Sequence, residues 1–183
     1  MPQSYERFLQ EILIDERALK LRVAELGQQI SRDYEDCDSL TMVCILKGGV
    51  MFLTDLTRHI TVPHEIDFMA ASSYGSGARS SSGNVRIDMD LNSALEGRHV
   101  LIVEDIIDSG HTLSFVMDML RARKPASLKL CALLNKASRR EVDIPIDYVG
   151  FDIEDKFVFG YGLDLDEKYR NLPFIGVVRP EAL

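Results

Sequence analysis

Three short runs in this chain are apolar at almost every position: LTMVCIL (40–46), HVLIVE (99–104) and SLKLCALL (127–134). A strand with one wet face alternates apolar and polar residues. Runs like these must instead be covered on both faces, as in a parallel sheet between two helix layers. Helical spacing fills the intervals. Asp15 is a candidate N-cap, and Leu19, Val23, Leu26 and Ile30 follow on one face. Leu53, Leu56 and Ile60 line one side of a second helix over 50–60, and Leu113, Val116, Met117 and Leu120 line a third that ends before Pro125. HEIDFMAAS (64–72), through Ile66, Phe68 and Ala70, and VRIDM (85–89) alternate as strands, while DYVGFDI and PFIGVV add short ones. This order predicts an α/β fold with an open, mainly parallel twisted sheet and helices on both faces, in one domain spanning 1–183.

Between the two alternating strands lies SSYGSGARSSSGN (72–84), nine of whose thirteen residues are Ser or Gly. That composition cannot bury a core, so a long flexible loop is expected. The net charge of -8 gives the chain no overall attraction for nucleic acid or an anionic membrane, so an anionic ligand would need local donors or a bridging cation. Cys37, Cys44 and Cys131 are odd in number and lack CxxC spacing, which fits reduced thiols. MPQSYERFLQ has neither the basic nor the apolar region of a secretion signal, so a cytoplasmic protein is expected.

The chemistry concentrates in VLIVEDIIDSGHTL (100–113). Glu104 to Thr112 reads as the turn from a buried strand into a helix, at the sheet edge where open α/β folds bind ligands. Free N–H groups at a helix start favour an anion, Gly110 allows a tight turn, and Ser109 and Thr112 add hydroxyl donors. Asp108 could equally be a plain N-cap. Glu104 and Asp105 place negative charge beside this anion site, a conflict that disappears for a sugar phosphate. Carboxylates accept hydrogen bonds from a ribose diol and can hold Mg²⁺ directly or through water.

Four apolar residues, two acids, two apolar residues and then D-[ST]-G-x-T resemble the phosphoribosyl-pyrophosphate (PRPP) loop of type I phosphoribosyltransferases. The similarity to the hypoxanthine-guanine branch runs on through LKGG, SSYGSG, LLNKASRR and VGFDIEDKFVFGYGLDLDEKYRNLP. The resemblance implies that fold with a small hood and a flexible loop. It also implies transfer of ribose 5-phosphate from PRPP to N9 of hypoxanthine or guanine, giving IMP or GMP and pyrophosphate, with Mg²⁺ required.

Site roles follow from the same resemblance. Glu104 and Asp105 would contact the ribose or the metal, with Asp164 in the metal shell. Asp108, Ser109, Gly110, His111 and Thr112 would wrap the 5′-phosphate, and Asp108 would be the general base near N7. Lys136 would donate to the purine 6-oxo group, beside Phe157 as a stacking wall and Val158. Phe157 could also be ordinary core, and an isolated Lys at a strand end is usually solvated. Lys47, Gly48 and Arg170 would hold pyrophosphate, with a cis peptide in the Lys47 turn, and Ser73 and Tyr74 would begin the covering loop. The resemblance further implies a homodimer or homotetramer, while the net charge argues against a nucleic-acid or membrane partner. A nucleic-acid-binding regulator on the same fold is disfavoured by the charge.

Overall fold

The structure, a computed structural model, describes residues 5–74 and 84–182. Six strands form the main sheet: β2 (Leu40–Leu46), β3 (His64–Tyr74), β4 (Asn84–Met89), β5 (His99–Ile107), β6 (Ser127–Asn135) and β7 (Tyr148–Asp152). Their spatial order is β4-β3-β2-β5-β6-β7, and only β4 runs antiparallel to its neighbour. A separate antiparallel sheet, in the order β1-β9-β8, joins β1 (Leu9–Ile14), β8 (Val158–Phe159) and β9 (Ile175–Val178) into a hood.

Helix α1 (Glu16–Asp33) starts as the sequence predicts, with the Asp15 carboxylate accepting from the Ala18 N–H at 2.8 Å. Its Leu19, Val23, Leu26 and Ile30 join Phe52, Leu53 and Leu56 of α2 (Val50–Thr57) over Leu40, Met42, Cys44, Leu101 and Val103 of the sheet. Helix α3 (His111–Arg121) buries Leu113, Val116, Met117 and Leu120 against the intervening residues Val43, Ile45, Val100 and Ile102 on the other face. Successive residues of β2 and β5 thus serve opposite cores, which is why those runs carry so few polar positions. Cys44 and Cys131 are buried and all three thiols are free.

Several expectations shift. The strand read as 99–104 continues through Ile107, because Glu104, Ile106 and Ile107 stay paired with Ala132, Leu134 and Asn135 of β6. The second helix stops at Thr57, although Ile60 is still buried by the turn that follows. In β3, Ile66 is half exposed and Phe68 only partly buried, while Met69 on the opposite face is fully buried. Of the loop expected over 72–84, both ends are strand, with Ser73 paired to Val85 and Tyr74 to Asn84. The remainder, 75–83, lies outside the described residues. Strands β1 and β8 have no sequence signal. β1 pairs with β9 through two register irregularities and leaves Ile12 half exposed, and β8 is two residues long.

Asp67 is the buried acid of β3. One carboxylate oxygen accepts from the Phe68 N–H at 2.8 Å, and the other from Asn92 at 2.9 Å and Ser93 at 3.0 Å. Burial alone would raise its pKa, but the donors from Ser93, Phe68 and Asn92 outweigh it and hold the carboxyl below its ordinary value. A depressed native pKa means stability that is complete above the unfolded carboxylate range and is lost as pH falls through the native value. Asp67→Asn keeps one acceptor but turns an amide N–H₂ toward donors. It should cost about 1–3 kcal/mol at pH 7 and flatten the acid limb of a melting-temperature against pH curve.

Candidate active site

Chain connections leave β2 and β5 in opposite directions: β2 leads through α2 to β3, and β5 through α3 to β6, although β2 and β5 are neighbours. Such a reversal opens a crevice beyond the carboxyl ends of the two strands. A cleft of about 350 Å³ occupies that place. Its walls are Lys47 and Gly48 after β2, Glu104 to Gly110 and Thr112 along β5 and its turn, and Asp164 and Arg170 from the hood segment.

On the β2 side the Leu46–Lys47 peptide is cis. Gly48 follows with no room for a side chain: a Cβ there would lie 1.6 Å from Asp105 Oδ2. The hood presses on the same turn through Gly162, whose φ is +102° and whose own Cβ would sit 2.0 Å from the Gly48 carbonyl oxygen. Arg170 ties this segment together, donating to the Gly162 carbonyl at 2.8 Å and pairing with Asp164 at 2.8 Å. Lys47 pairs with Glu167 at 2.7 Å.

On the β5 side, the Glu104 and Asp105 carboxyls are buried as neighbours, and Asp105 accepts from the Ile106 N–H at 2.8 Å. Burial pushes both carboxyls up, Glu104 well above its usual range because the Asp105 charge adds to it. Glu104 Oε2 is buried with no hydrogen-bond partner among the described residues. An orphaned acceptor beside a second carboxyl suits a cation or a ligand hydroxyl, since a buried carboxylate oxygen without a partner is costly. The three carboxylates expected around a metal are not gathered into one ligand set. Among the described residues no cluster of three or more His, Cys, Asp or Glu forms one, and Asp164 is engaged by Arg170 on the hood side.

The turn after β5 is built around Gly110, at φ +92°, where a Cβ would meet Ile144 Cδ1 at 2.8 Å and the Val142 carbonyl at 3.1 Å. The Ser109 carbonyl accepts from the Glu141 and Val142 N–H groups at 3.0 and 3.1 Å, pinning the turn to that segment. Gly110, not Asp108, occupies the N-cap position of α3, so the capping alternative for Asp108 falls. The first turn of a helix leaves N–H groups without intrahelical partners, and Thr112 and Leu113 of that turn line the cleft. The His111 ring turns away from it and pairs with Glu141 at 2.9 Å.

The Asp108 side chain meets Arg139 Nε at 3.2 Å, Arg139 meets Asp155 at 3.8 Å, and Asp155 meets Lys136 at 3.6 Å. Lys136 is buried, not solvated, and Arg140 braces the loop by donating to the Asp108 carbonyl at 3.1 Å and to Asn135 Oδ1 at 2.6 Å. Phe157 is 46% exposed, which removes the core-packing alternative, while Val158 is buried in the hood sheet. Lys136, Phe157 and Val158 do not line the cleft itself, and Lys136 connects to it through the Asp155–Arg139–Asp108 chain. Ser73 and Tyr74 are placed by their backbone at the carboxyl end of β3, and their side chains lie outside the described residues. Arg139, Asp155 and Glu167 were not singled out from the sequence. The only signal for them was a cluster of charge beside the matched residues.

Comparison with known proteins agrees with this geometry. The family described as phosphoribosyl transferase domain matches residues 10–168. The hypoxanthine phosphoribosyltransferase of Salmonella typhimurium is 53% identical over 92% of this chain and 94% of its own length, and that of Escherichia coli is 52% identical over the same shares. A crystal structure of a hypoxanthine phosphoribosyltransferase from Staphylococcus aureus superposes with a TM-score of 0.93 at 44% identity, covering 99% of this chain and 98% of that one. A switch-point cleft walled by a PRPP-type loop, together with similarity over nearly the whole length, places the chain in the phosphoribosyltransferase family, on its hypoxanthine phosphoribosyltransferase branch.

Proposed function

We infer that the chain transfers ribose 5-phosphate from PRPP to N9 of hypoxanthine or guanine, giving IMP or GMP and releasing pyrophosphate. One observation carries the reading: a single cleft holds an anion-binding turn (108–112), a buried acidic pair (Glu104 and Asp105) and a second, cationic turn (47–48). Those three parts suit the 5′-phosphate, the ribose diol and the pyrophosphate of one ligand. The backbone and hydroxyls of Ser109 to Thr112 hold the 5′-phosphate. Glu104 and Asp105 accept from the ribose hydroxyls, and Lys47, Gly48 and Arg170 bind the leaving group, with Ser73 and Tyr74 at the root of the covering loop.

The family binds PRPP with a metal ion. Glu104 and Asp105, one with an orphaned oxygen, would hold Mg²⁺, and Asp164, paired with Arg170, would add a third carboxylate from the hood side. Mg²⁺ bound there would neutralise charge on the departing pyrophosphate. As the C1′–oxygen bond breaks and the N9–C1′ bond forms, the purine loses a proton, which Asp108 accepts near N7. Fixed hydrogen-bond donors keep the reacting groups in line.

Lys136 donates to the 6-oxo group between Phe157 and Val158, a contact that penalises the 6-amino group of adenine. Lys136→Ala should weaken 6-oxopurine binding by about 1–3 kcal/mol while PRPP affinity holds, measured by calorimetry with each substrate in turn.

The family resemblance also supports a cytoplasmic homodimer or homotetramer, while the net charge of -8 argues against a nucleic-acid or membrane partner. No helix among the described residues is long and apolar enough to cross a membrane. Phosphorus NMR of enzyme with PRPP, hypoxanthine and Mg²⁺ tests the reaction. IMP and pyrophosphate should appear in equal amounts and stop on adding chelator, whereas turnover unaffected by chelator would remove the metal from the account.

A further inference from the structure

Glu167 sits on the hood segment with one carboxylate oxygen on each of two cations. Oε2 is 2.7 Å from Lys47 Nζ and Oε1 is 3.4 Å from Arg170 Nη2. The contact to Lys47 joins residues 120 positions apart and bridges the hood to the turn after β2. The backbone is shaped for it: Asp166 and Glu167 have φ of +52° and +62°, a region side chains rarely adopt, and the Glu167 N–H donates to Asp164 Oδ2 at 2.9 Å. A carboxylate spanning two cations presents them with the charge a diphosphate would bring. It is also 66% exposed, so on release it passes into water with little desolvation to reverse. Arg170 is independently anchored by Asp164 and the Gly162 carbonyl, so its position does not depend on Glu167.

We propose that Glu167 is a built-in competitor for the pyrophosphate group: it occupies Lys47 and Arg170 in the empty cleft, is displaced when PRPP or pyrophosphate binds, and aids product release by returning. The inference rests on the reading of Lys47 and Arg170 as pyrophosphate contacts. Glu167 acts through these two residues and touches no reacting atom. It is a positioning residue.

A merely structural ion pair would weaken ligand binding when broken, whereas a competitor strengthens it. Glu167→Gln keeps the shape and removes the charge. Glu167→Gly removes the side chain at a φ that glycine adopts freely. Calorimetric titration with magnesium pyrophosphate should show both variants binding about two- to tenfold tighter than the parent, the range for loss of exposed ion pairs, with the gap narrowing as KCl is raised. The KM for PRPP should fall in parallel, with kcat unchanged or lower. Parent-like or weaker pyrophosphate binding in both variants overturns the proposal. If the parent itself fails to bind magnesium pyrophosphate, the assignment of Lys47 and Arg170 falls, and the proposal with it.

Discussion

Asp108→Asn should lower turnover by about 10²–10⁴-fold, the usual contribution of a general base, while leaving the fold and nucleotide affinity almost untouched. The separation is sharper than the sequence alone allowed. Asp108 caps nothing, since α3 begins at His111 behind Gly110. Its contact with Arg139 joins two side chains that are each nearly half exposed, so losing that ion pair should change stability by less than about 1 kcal/mol. The backbone role of Asp108, accepting from Arg140 at 3.1 Å, is kept by Asn. Asn cannot take the purine proton. Steady-state kinetics with hypoxanthine, set beside IMP binding by calorimetry, checks both halves. A purine analogue with a more acidic ring N–H should lose less. Equal losses in kcat and IMP affinity would make Asp108 a binding group and no base.

Gly48→Ala should also be severe, by a different route. The added methyl would fall 1.6 Å from Asp105 Oδ2, and Gly162 of the hood closes the side from which the turn could retreat. The yielding atom is the end of a side chain, so the fold can accommodate the change for about 1–3 kcal/mol by rotating Asp105. That rotation moves Asp105 relative to Glu104 and breaks the contact with the Ile106 N–H, disordering the acidic wall of the cleft. Displacements of about 1 Å at such a site cost on the order of 10²-fold in rate. We expect kcat/KM for PRPP to fall by that order with a modest drop in melting temperature. A variant with parent-like kinetics would mean that the turn and the acidic pair are uncoupled.

Strands β2, β5 and β6 and the three helices were legible because their buried faces are encoded locally, in runs and spacings read within about ten residues, whereas the alternation of β3 pointed to Ile66 and Phe68 while Met69 is the fully buried residue. The PRPP-type loop was legible for the same reason: strand end, acids and turn are contiguous. Strand β5 was cut short at Glu104 because acidic residues interrupt its apolar run. Ladder pairing with β6 keeps the backbone extended past them, and that pairing is a long-range fact. The Asp108–Arg139–Asp155–Lys136 chain depends on the β6–β7 register, which sets Asn135 opposite Asp152 and so brings Asp155 beside Lys136. The Glu167 contact depends on positive φ at Asp166 and Glu167, with no glycine at either position to announce the turn. What the sequence concealed is the part of the site assembled from segments that meet only in the fold.

The most direct measurement is a panel of five free bases, hypoxanthine, guanine, xanthine, adenine and orotate, each incubated with PRPP and Mg²⁺ while product nucleotide is separated and quantified. Nucleotide should form from hypoxanthine, guanine or both, in step with pyrophosphate, and little from adenine, whose 6-amino group meets Lys136 donor to donor, or from orotate, a pyrimidine with no N9. Adenine or orotate converted as fast as hypoxanthine, or no nucleotide from any base, would contradict the proposed function.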